Sequence, residues 1–297
     1  MALRFGRAVR RGQVCLQYQP VVSLETGEPV AAEALIRWRH PRWGLVSPAS
    51  FIPLLERSGS WERLDSFVLE AAAGQAHALR EDGVDVPIAV NLCPAAFQDQ
   101  GLPARLEQLR QRWQLAPGAL QIELTERALD HDDRPSRIIG ELADQGVPIA
   151  LDDFGVGYSS LKRLALLPLD TLKIDRSFVE QIGNSPGTRD KGERRARVVV
   201  RAAAELGHAL NLRVTAEGVE TVEAWQLLRA LGVDAAQGYL ISEPVPARAL
   251  DRRLRTNALT TVERIRRADR SAIREAPPMV QQSVPKRQSW ANTSIAR

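Results

Sequence analysis

Eight short apolar runs recur along the chain, and stretches with helical periodicity separate most of them. The runs are Leu16–Val22, Val30–Trp38, Pro87–Leu92, Leu120–Thr125, Val147–Asp152, Thr171–Asp175, Leu212–Glu217 and Ala235–Leu240. The helical stretches include Trp61–Leu79, Leu102–Trp113, Ser136–Gln145, Arg197–Leu210 and Thr221–Leu231. Because strands that alternate with helices usually pair in parallel, the pattern predicts an α/β fold, and eight repeats predict a (β/α)8 barrel of the TIM type.

The first two runs depart from this pattern. Only Ser23–Pro29 lies between them, and it contains the turn-forming triplet Glu25-Thr26-Gly27. A segment of this length is too short for a crossover helix, so the two strands are predicted to pair in the antiparallel direction. The predicted fold is therefore a TIM-type barrel with an antiparallel first strand.

The positive charge of the chain is concentrated at one end. The net charge is +4 and the sequence pI is about 9.4, values that are also common in nucleic-acid-binding proteins. Residues 252–297 hold eleven Lys/Arg and three Asp/Glu, so they carry +8 and leave −4 for residues 1–251. No DNA partner is therefore predicted. For the tail, a solvated extension is favoured over contact with a membrane or another anionic partner.

The two cysteines, Cys15 and Cys93, are too few for a disulfide framework or a cysteine-based zinc site. No stretch approaches about eighteen apolar residues, and the N-terminus lacks an apolar signal core. These features predict a soluble cytoplasmic protein.

Four segments lie outside the repeating pattern. Met1–Gly12 is basic and amphipathic, which predicts a short helix. Gly183–Arg195 is polar, charged and contains Gly and Pro, so it is predicted to be a mobile loop. Ala247–Arg270 has apolar residues at helical spacing, whereas Ala276–Arg297 is predicted to be disordered.

Polar residues gather at the ends of the predicted strands. They are Glu33, Arg37, Asn91, Glu123, Glu126, Asp152, Asp153, Lys173, Asp175, Glu217 and Gln237. In a β/α barrel these ends meet at the face that carries the active site. Carboxylates that lie so close together need cations to offset their repulsion, and oxygen ligands favour Mg²⁺, Mn²⁺ or Ca²⁺ over zinc. The adjacent Asp152 and Asp153 suit two neighbouring ions, as two-metal phosphodiester hydrolysis requires.

An ordered set of motifs accompanies these polar residues. It consists of Tyr18-Gln19-Pro20, Glu33-Ala34-Leu35 with Ile36-Arg37-Trp38, Phe51-Ile52-Pro53 with Glu56, Asn91-Leu92, Glu123-Leu124-Thr125-Glu126, Asp152-Asp153-Phe154-Gly155, Lys173-Ile174-Asp175, Glu217-Gly218-Val219-Glu220 and Gln237-Gly238-Tyr239-Leu240. The set resembles the EAL-domain family of cyclic di-GMP phosphodiesterases over about residues 4–250. We therefore expect a phosphodiesterase domain over residues 1–250 and a basic tail over residues 251–297, helical at first and then disordered.

The resemblance implies a metal site with two Mg²⁺ or Mn²⁺ ions, and inhibition by Ca²⁺. By this resemblance the first ion is held by Glu33, Asn91, Glu123 and Asp152, and the second by Asp152 and Asp153, with Glu217 nearby through water. Lys173 is expected to orient the attacking water and to help remove its proton. Lys173, Glu33 and Glu217 are thus the expected catalytic residues.

The resemblance also implies a substrate-binding group and a homodimer. Arg37, Leu35, Gln237 and Asp175 are the expected contacts with cyclic di-GMP. Two of them have alternatives, since Arg37 can instead pair with a neighbouring acid and Asp175 can cap the helix that starts near Ser177. Glu126 is expected to anchor the loop Asp153–Ser160, which links the metal site to the dimer interface in this family. The alternative for Glu126 is a solvated surface acid.

The chain departs from the usual family pattern at a few positions. Cys93 and Arg127 stand where Ser is common, Val156 where Thr is common, and Asn211 where Gly is common. The loop at Gly183–Arg195 is longer than usual. Because no expected metal ligand is lost, the favoured function is hydrolysis of cyclic di-GMP to 5′-pGpG in bacterial signalling. A silent cyclic di-GMP receptor is the main alternative, and an unrelated barrel hydrolase is the other.

Overall fold

The structure is a computed structural model that describes residues 2–129, 134–156, 161–183 and 191–255. The strands are β1 (Val14–Ser23), β2 (Pro29–His40), β3 (Gly44–Val46), β4 (Ile88–Asn91), β5 (Leu120–Thr125), β6 (Ile149–Phe154), β7 (Thr171–Ile174), β8 (Arg213–Ala216) and β9 (Ala235–Ala236). The α-helices are α1 (Ala2–Arg10), α2 (Pro48–Arg57), α3 (Trp61–Glu81), α4 (Leu102–Arg112), α5 (Arg134–Asp144), α6 (Leu161–Leu166), α7 (Arg176–Gly183), α8 (Lys191–Ala209), α9 (Val222–Ala230) and α10 (Ala247–Arg255). Two 3₁₀ turns, Pro94–Gln98 and Glu126–Leu129, follow β4 and β5.

Eight strands close into a barrel. Their order is β1-β9-β8-β7-β6-β5-β4-β2, and β1 closes the ring by pairing with β2. Strand β1 is antiparallel to both of its neighbours, and the pairs from β2 through β9 are parallel. The predicted TIM-type barrel with an antiparallel first strand is confirmed.

The short connection after β1 forms the expected turn. Gly27 has a positive φ of 66°, and its N–H donates to the carbonyl of Ser23. The hydroxyl of Ser23 accepts from the N–H of Thr26, so the turn satisfies its own polar groups. As a result β1 returns directly along β2 with Gln19 opposite Glu33.

The core lies between the barrel wall and the helices around it. Helix α3 buries one face, including Val68, Ala72 and Leu79, and β4 lies against this helix. Helix α1 places Phe5 in the core, where its ring lies 5.9 Å from that of Trp38. This confirms the helix predicted within Met1–Gly12, of which Met1 lies outside the described residues.

Several predicted boundaries are wrong. Strand β9 covers only Ala235–Ala236, because the chain then turns so that Val219 N donates to the Gln237 carbonyl. Strand β3 was not predicted, since its three residues are too few to show a pattern; it pairs with β2 outside the ring.

The loop predicted at Gly183–Arg195 is wrong at both ends. Helix α7 continues to Gly183 and α8 begins at Lys191, and residues 184–190 lie outside the described residues. The polar start of α8 is helical because Ala196 and Val200 are buried on one face. Arg197 also pairs with Glu193 one turn earlier.

At the other end of the chain, α10 forms the first part of the helix predicted from Ala247 to Arg270. Its Leu250 and Leu254 are buried against the barrel. Residues 256–297, with the remainder of that helix and the predicted disorder, lie outside the described part of the chain. Among the described residues, no helix combines the length and apolar character needed to cross a bilayer.

Candidate metal centre

A buried lysine lies at the centre of the acidic cluster. Lys173 on β7 is only 2% exposed, yet its Nζ lies near four carboxylates. The distances are 2.6 Å to Glu217 Oε1, 2.7 Å to Glu123 Oε2, 3.2 Å to Asp152 Oδ1 and 3.8 Å to Glu33 Oε2. The structure therefore brings together five of the residues that the sequence assigned to metal binding and catalysis.

The barrel explains how residues so far apart in sequence meet. Asn91 on β4 lies directly opposite Glu123 on β5, and Asp152 on β6 lies opposite Thr125. Because parallel strands all point the same way, their carboxyl ends share one rim of the barrel. Asn91, Asp152 and Lys173 lie near the ends of their strands and Glu217 directly follows β8, whereas Glu33 lies within the long strand β2. The register of the strands therefore brings these side chains together.

The electrostatics of the cluster are unusual. Burial alone would lower the pKa of Lys173, but the surrounding carboxylates outweigh it and hold that pKa well above its ordinary value. Burial raises the pKa of Glu123 and of Glu217, although Lys173 opposes the shift in both. With all four carboxylates ionised, the cluster would have a deficit of positive charge that one ammonium cannot offset.

Two amides complete the inner ring. Asn91 Nδ2 donates to Glu33 Oε1 at 2.6 Å and to Glu123 Oε2 at 3.1 Å. Gln237 Nε2 donates to Glu33 Oε2 at 2.6 Å and to Gln19 Oε1 at 3.0 Å. The other amide oxygen, Gln237 Oε1, is buried without a hydrogen-bond partner among the described residues. Because buried acceptors are normally hydrogen-bonded, this oxygen is suited to accept a bond from a water or ligand at the site.

The carboxylates fall into two groups that fit divalent cations. Glu33, Glu123 and Asp152 each offer an oxygen within 4.8 Å of the others, and so do Asp152, Asp153 and Glu217. Asp152 belongs to both groups, which is the arrangement that a bridging ligand needs. The donors are all oxygen atoms, as Mg²⁺ and Mn²⁺ prefer, and the deficit of positive charge in the cluster fits such ions.

Asp153 owes its place to an uncommon backbone conformation. Its φ is +56°, and its N–H donates to Asp152 Oδ1 at 3.0 Å. Asp tolerates this left-handed region better than most residues. Burial, together with repulsion from Asp152 and Asp175, raises the pKa of the Asp153 carboxyl.

Arg37 lies above the acidic ring, towards the mouth of the barrel. Its Nε donates to Gln17 Oε1 at 2.9 Å, and its Nη1 donates to the carbonyl of Ile36 at 2.9 Å. Among the described residues no carboxylate lies within 4.0 Å of it, so the alternative that Arg37 pairs with an acid is wrong. Leu35 precedes Arg37 by two residues, so it lies on the same face of β2, where it is half-buried.

Asp175 follows β7 and precedes α7. Its Oδ1 accepts from the backbone N–H of Ser177 at 3.0 Å and contacts the Ser177 hydroxyl. This is the capping contact that the sequence offered as the alternative for Asp175. Its expected contact with substrate stays a prediction, and it still lies close enough to Asp153 to affect the pKa of that carboxyl.

Glu126 is buried directly after β5, so the alternative of a solvated surface acid is wrong. Its Oε1 accepts from the N–H of Gly155 at 3.3 Å. Gly155 has a φ of +97°, and a Cβ there would lie 2.8 Å from the Phe178 ring. The contact joins the end of β5 to the start of the Asp153–Ser160 loop, of which residues 157–160 lie outside the described residues.

The departures from the family pattern are not among the expected metal ligands. Cys93 is buried, and its backbone N–H lies 3.3 Å from Asp65 Oδ2. Val156 is 64% exposed and Arg127 is exposed. Asn211 has a φ of +59°, the left-handed conformation that the usual Gly would adopt.

Three residues near the site have no role that the sequence pattern indicates: Gln17, Gln19 and Tyr239. Gln17 accepts a hydrogen bond from Arg37, and Gln19 accepts one from Gln237. Tyr239 is 62% exposed, and it lies close enough to Arg37 to raise the pKa of the guanidinium. Gln17 and Gln19 alternate on β1, opposite Leu35 and Glu33, so the pairing register was the signal that points to them.

Comparison with known proteins gives a consistent result. The bifunctional diguanylate cyclase/cyclic di-GMP phosphodiesterase MucR of Pseudomonas aeruginosa is 38% identical over 246 residues, which are 82% of this chain and 35% of MucR. The cyclic di-GMP phosphodiesterase NbdA of the same organism is 38% identical over 251 residues, which are 84% of this chain and 31% of NbdA. The chain thus spans about a third of the length of these curated relatives.

A solved structure of the PaMucR phosphodiesterase in complex with c-di-GMP superposes with a TM-score of 0.78 at 37% identity. The superposition covers 84% of this chain and 99% of that one. The EAL domain family model matches residues 3–244. The chain belongs to the EAL domain family.

Proposed function

We propose that this chain hydrolyses one phosphodiester bond of cyclic di-GMP to give linear 5′-pGpG and so lowers the level of this second messenger. The observation that carries the proposal is the ring of four carboxylates around Lys173, completed by Asn91 and Gln237. The names of the relatives support the choice of substrate, since MucR and NbdA are described as cyclic di-GMP phosphodiesterases.

We infer that the acidic groups hold two Mg²⁺ or Mn²⁺ ions. Glu33, Asn91, Glu123 and Asp152 would hold one, and Asp152 and Asp153 the other, with Glu217 nearby. When bound, the ions supply a nucleophilic water at neutral pH and offset the negative charge that develops on the phosphate. Asn91 now directs its amide nitrogen at two carboxylates. A half-turn of this amide would present its oxygen to a cation.

The remaining steps belong to the protein's own side chains. Lys173 orients the attacking water, and its ammonium can take up the proton that this water loses only as it passes one of its own to Glu217 Oε1, 2.6 Å away. Gln237 holds the water or substrate through its free Oε1. Arg37 offers its guanidinium to a phosphate oxygen, a task that suits the planar fork of this side chain. Leu35 lies below it as an apolar contact.

We also propose that the chain forms a homodimer. Leu161 and Leu166 on α6 are 62% and 72% exposed, and the exposed Val156 precedes them at the end of the described loop segment. Apolar side chains exposed together suit contact with a second copy. Light scattering after size exclusion tests this, and a mass of one chain at micromolar concentration would contradict it.

Turnover by matched variants tests the proposed reaction. The purified protein is incubated with cyclic di-GMP and Mg²⁺ or Mn²⁺, and 5′-pGpG is measured by chromatography. We expect the Glu33→Ala variant to lose turnover and the Glu25→Ala variant to retain it, because Glu25 is exposed in the turn at the opposite end of the barrel. If the two variants turn over equally, the acidic ring does not perform the reaction. Cyclic di-GMP binding without product in the wild type would favour the receptor function.

A further inference from the structure

The guanidinium of Arg37 donates two hydrogen bonds to neutral oxygen atoms. Gln17 Oε1 accepts from Nε at 2.9 Å, and the carbonyl of Ile36 accepts from Nη1 at 2.9 Å. Gln17 lies opposite Leu35 in the β1–β2 ladder, so Arg37 is its diagonal neighbour on the same face. Together the two acceptors fix the plane of the guanidinium at the barrel mouth.

Both acceptors are neutral. Within the described residues the guanidinium has no carboxylate closer than 4.0 Å, so its positive charge is not cancelled by an ion pair. The side chain is half-buried, and burial lowers the pKa of Arg37 from its ordinary value. A partly desolvated cation with an uncancelled charge attracts an anion more strongly than a solvated or paired one does.

The orientation matters as much as the charge. A free arginine side chain gives up considerable rotamer freedom when it binds a ligand, and a side chain already held in place gives up less. With the Nε–H and one Nη1–H engaged, the donors that remain are one N–H of Nη1 and the two N–H groups of Nη2. These donors are available to the oxygens of a phosphate.

We propose that Gln17 is a positioning residue for substrate binding, which holds the Arg37 guanidinium in place for a phosphate of the cyclic dinucleotide without neutralising it. This inference rests on the proposed function, because the phosphate belongs to the substrate proposed there. It gives a glutamine on the first strand a role in recognition that acts through Arg37.

Two substitutions separate orientation from charge. Gln17→Leu has a similar size but removes the acceptor, and Gln17→Glu keeps an acceptor but adds a negative charge beside the guanidinium. We expect each to raise the KM for cyclic di-GMP roughly tenfold, the order expected for losing one hydrogen bond to a charged group, and to change kcat less than twofold. A merely structural role predicts that Gln17→Glu, which still accepts the bond, behaves like the wild type.

A double-mutant cycle tests whether Gln17 acts through Arg37. In an Arg37→Ala background, we expect Gln17→Leu to leave KM unchanged within about twofold, because nothing remains for Gln17 to position. Gln111→Leu is the matched control, since Gln111 is exposed on α4 and its side chain bonds only with Glu107 among the described residues. It should match the wild type.

The outcomes are distinct for the two proposals. If the wild type turns over cyclic di-GMP and both Gln17 variants keep its KM, the positioning role is wrong and the proposed function stands. If Gln17→Leu raises KM by the same factor in the wild type and in the Arg37→Ala background, the positioning role is also wrong. If the wild type neither binds nor hydrolyses cyclic di-GMP, the proposed function fails and this inference fails with it.

Discussion

The ammonium of Lys173 lies 2.7 Å from Glu123 Oε2, and both side chains are only 2% exposed. Isolated charges are rarely buried so completely, because desolvating each of them is costly. Here the lysine is the only cation within 4.0 Å of the cluster among the described residues. It thus stabilises carboxylates that would otherwise repel one another, at the position where the site is proposed to hold metal ions.

Lys173→Met should destabilise the metal-free protein. The substitution leaves buried carboxylates without their cation, and breaking such a pair typically costs about 3–5 kcal/mol in the free energy of unfolding. Urea denaturation in EDTA measures this loss. Lys191→Met is the matched control, since Lys191 is exposed at the start of α8. An unchanged urea midpoint for Lys173→Met would contradict the account of the cluster.

Asp65 should make stability depend on pH. Burial raises the pKa of this carboxyl to about 7, although hydrogen bonds from Cys93 oppose the shift. Between about pH 4 and pH 7 the unfolded chain has released this proton while the folded protein retains it, so this group lowers the free energy of unfolding as the pH rises through that window.

Asp65→Asn should remove that decline. The free energy of unfolding of the variant minus that of the wild type is expected to increase by about 3 kcal/mol from pH 4 to pH 8. Denaturation curves across this range measure the difference, and Asp85→Asn at an exposed position is the control. A constant difference between Asp65→Asn and the wild type at all pH values would show that the Asp65 carboxyl does not titrate as stated.

Gly238→Ala should disrupt the site through the backbone. A Cβ at Gly238 would lie 2.1 Å from the carbonyl oxygen of Val219 and 2.2 Å from its nitrogen, so one of these two backbone segments must move. Gln237 would move with it. We expect a loss of about 3 kcal/mol or more in the free energy of unfolding, together with most of the turnover.

Gly140→Ala on α5 is the matched control for that substitution. Nothing lies within 4 Å of a Cβ at Gly140, and alanine favours a helix interior over glycine by about 0.5–1 kcal/mol. This variant should therefore be slightly more stable than the wild type. Similar thermal unfolding temperatures for the two variants would contradict the close approach at Gly238.

Glu126→Ala should lower kcat without removing the metal ligands. The substitution removes the acceptor for the Gly155 N–H, while Glu126→Gln retains one. We expect kcat to fall about tenfold for Ala and clearly less for Gln, with the Mn²⁺ affinity of both variants close to that of the wild type. Arg127→Ala changes the exposed neighbour and serves as the control. Equal kcat values for Glu126→Ala and the wild type would exclude the anchor role.

The sequence predicts the architecture because the spacing of apolar residues within each short segment already shows whether that segment is a strand or a helix. The alternation of runs and helices predicts the barrel, and the short Ser23–Pro29 connection predicts its antiparallel first strand. The acids of the site are predicted for the same reason, since a residue at a strand end has its place in the barrel as soon as the strand is identified.

Other features depend on contacts between distant parts of the chain. Charge density suggested a loop at residues 191–195, but Ala196 and Val200 are buried and the segment is helical. The convergence of four carboxylates on Lys173 and the bond from Arg37 to Gln17 follow from register and side-chain rotamers, which periodicity does not specify.

Metal-dependent hydrolysis is tested most directly by adding divalent ions to metal-free wild-type protein that already holds cyclic di-GMP and measuring the formation of 5′-pGpG. We expect no product in EDTA, immediate accumulation of 5′-pGpG when Mg²⁺ or Mn²⁺ is added in excess, and arrest when the ions are chelated again. Bound cyclic di-GMP that remains intact with both ions would contradict metal-dependent hydrolysis.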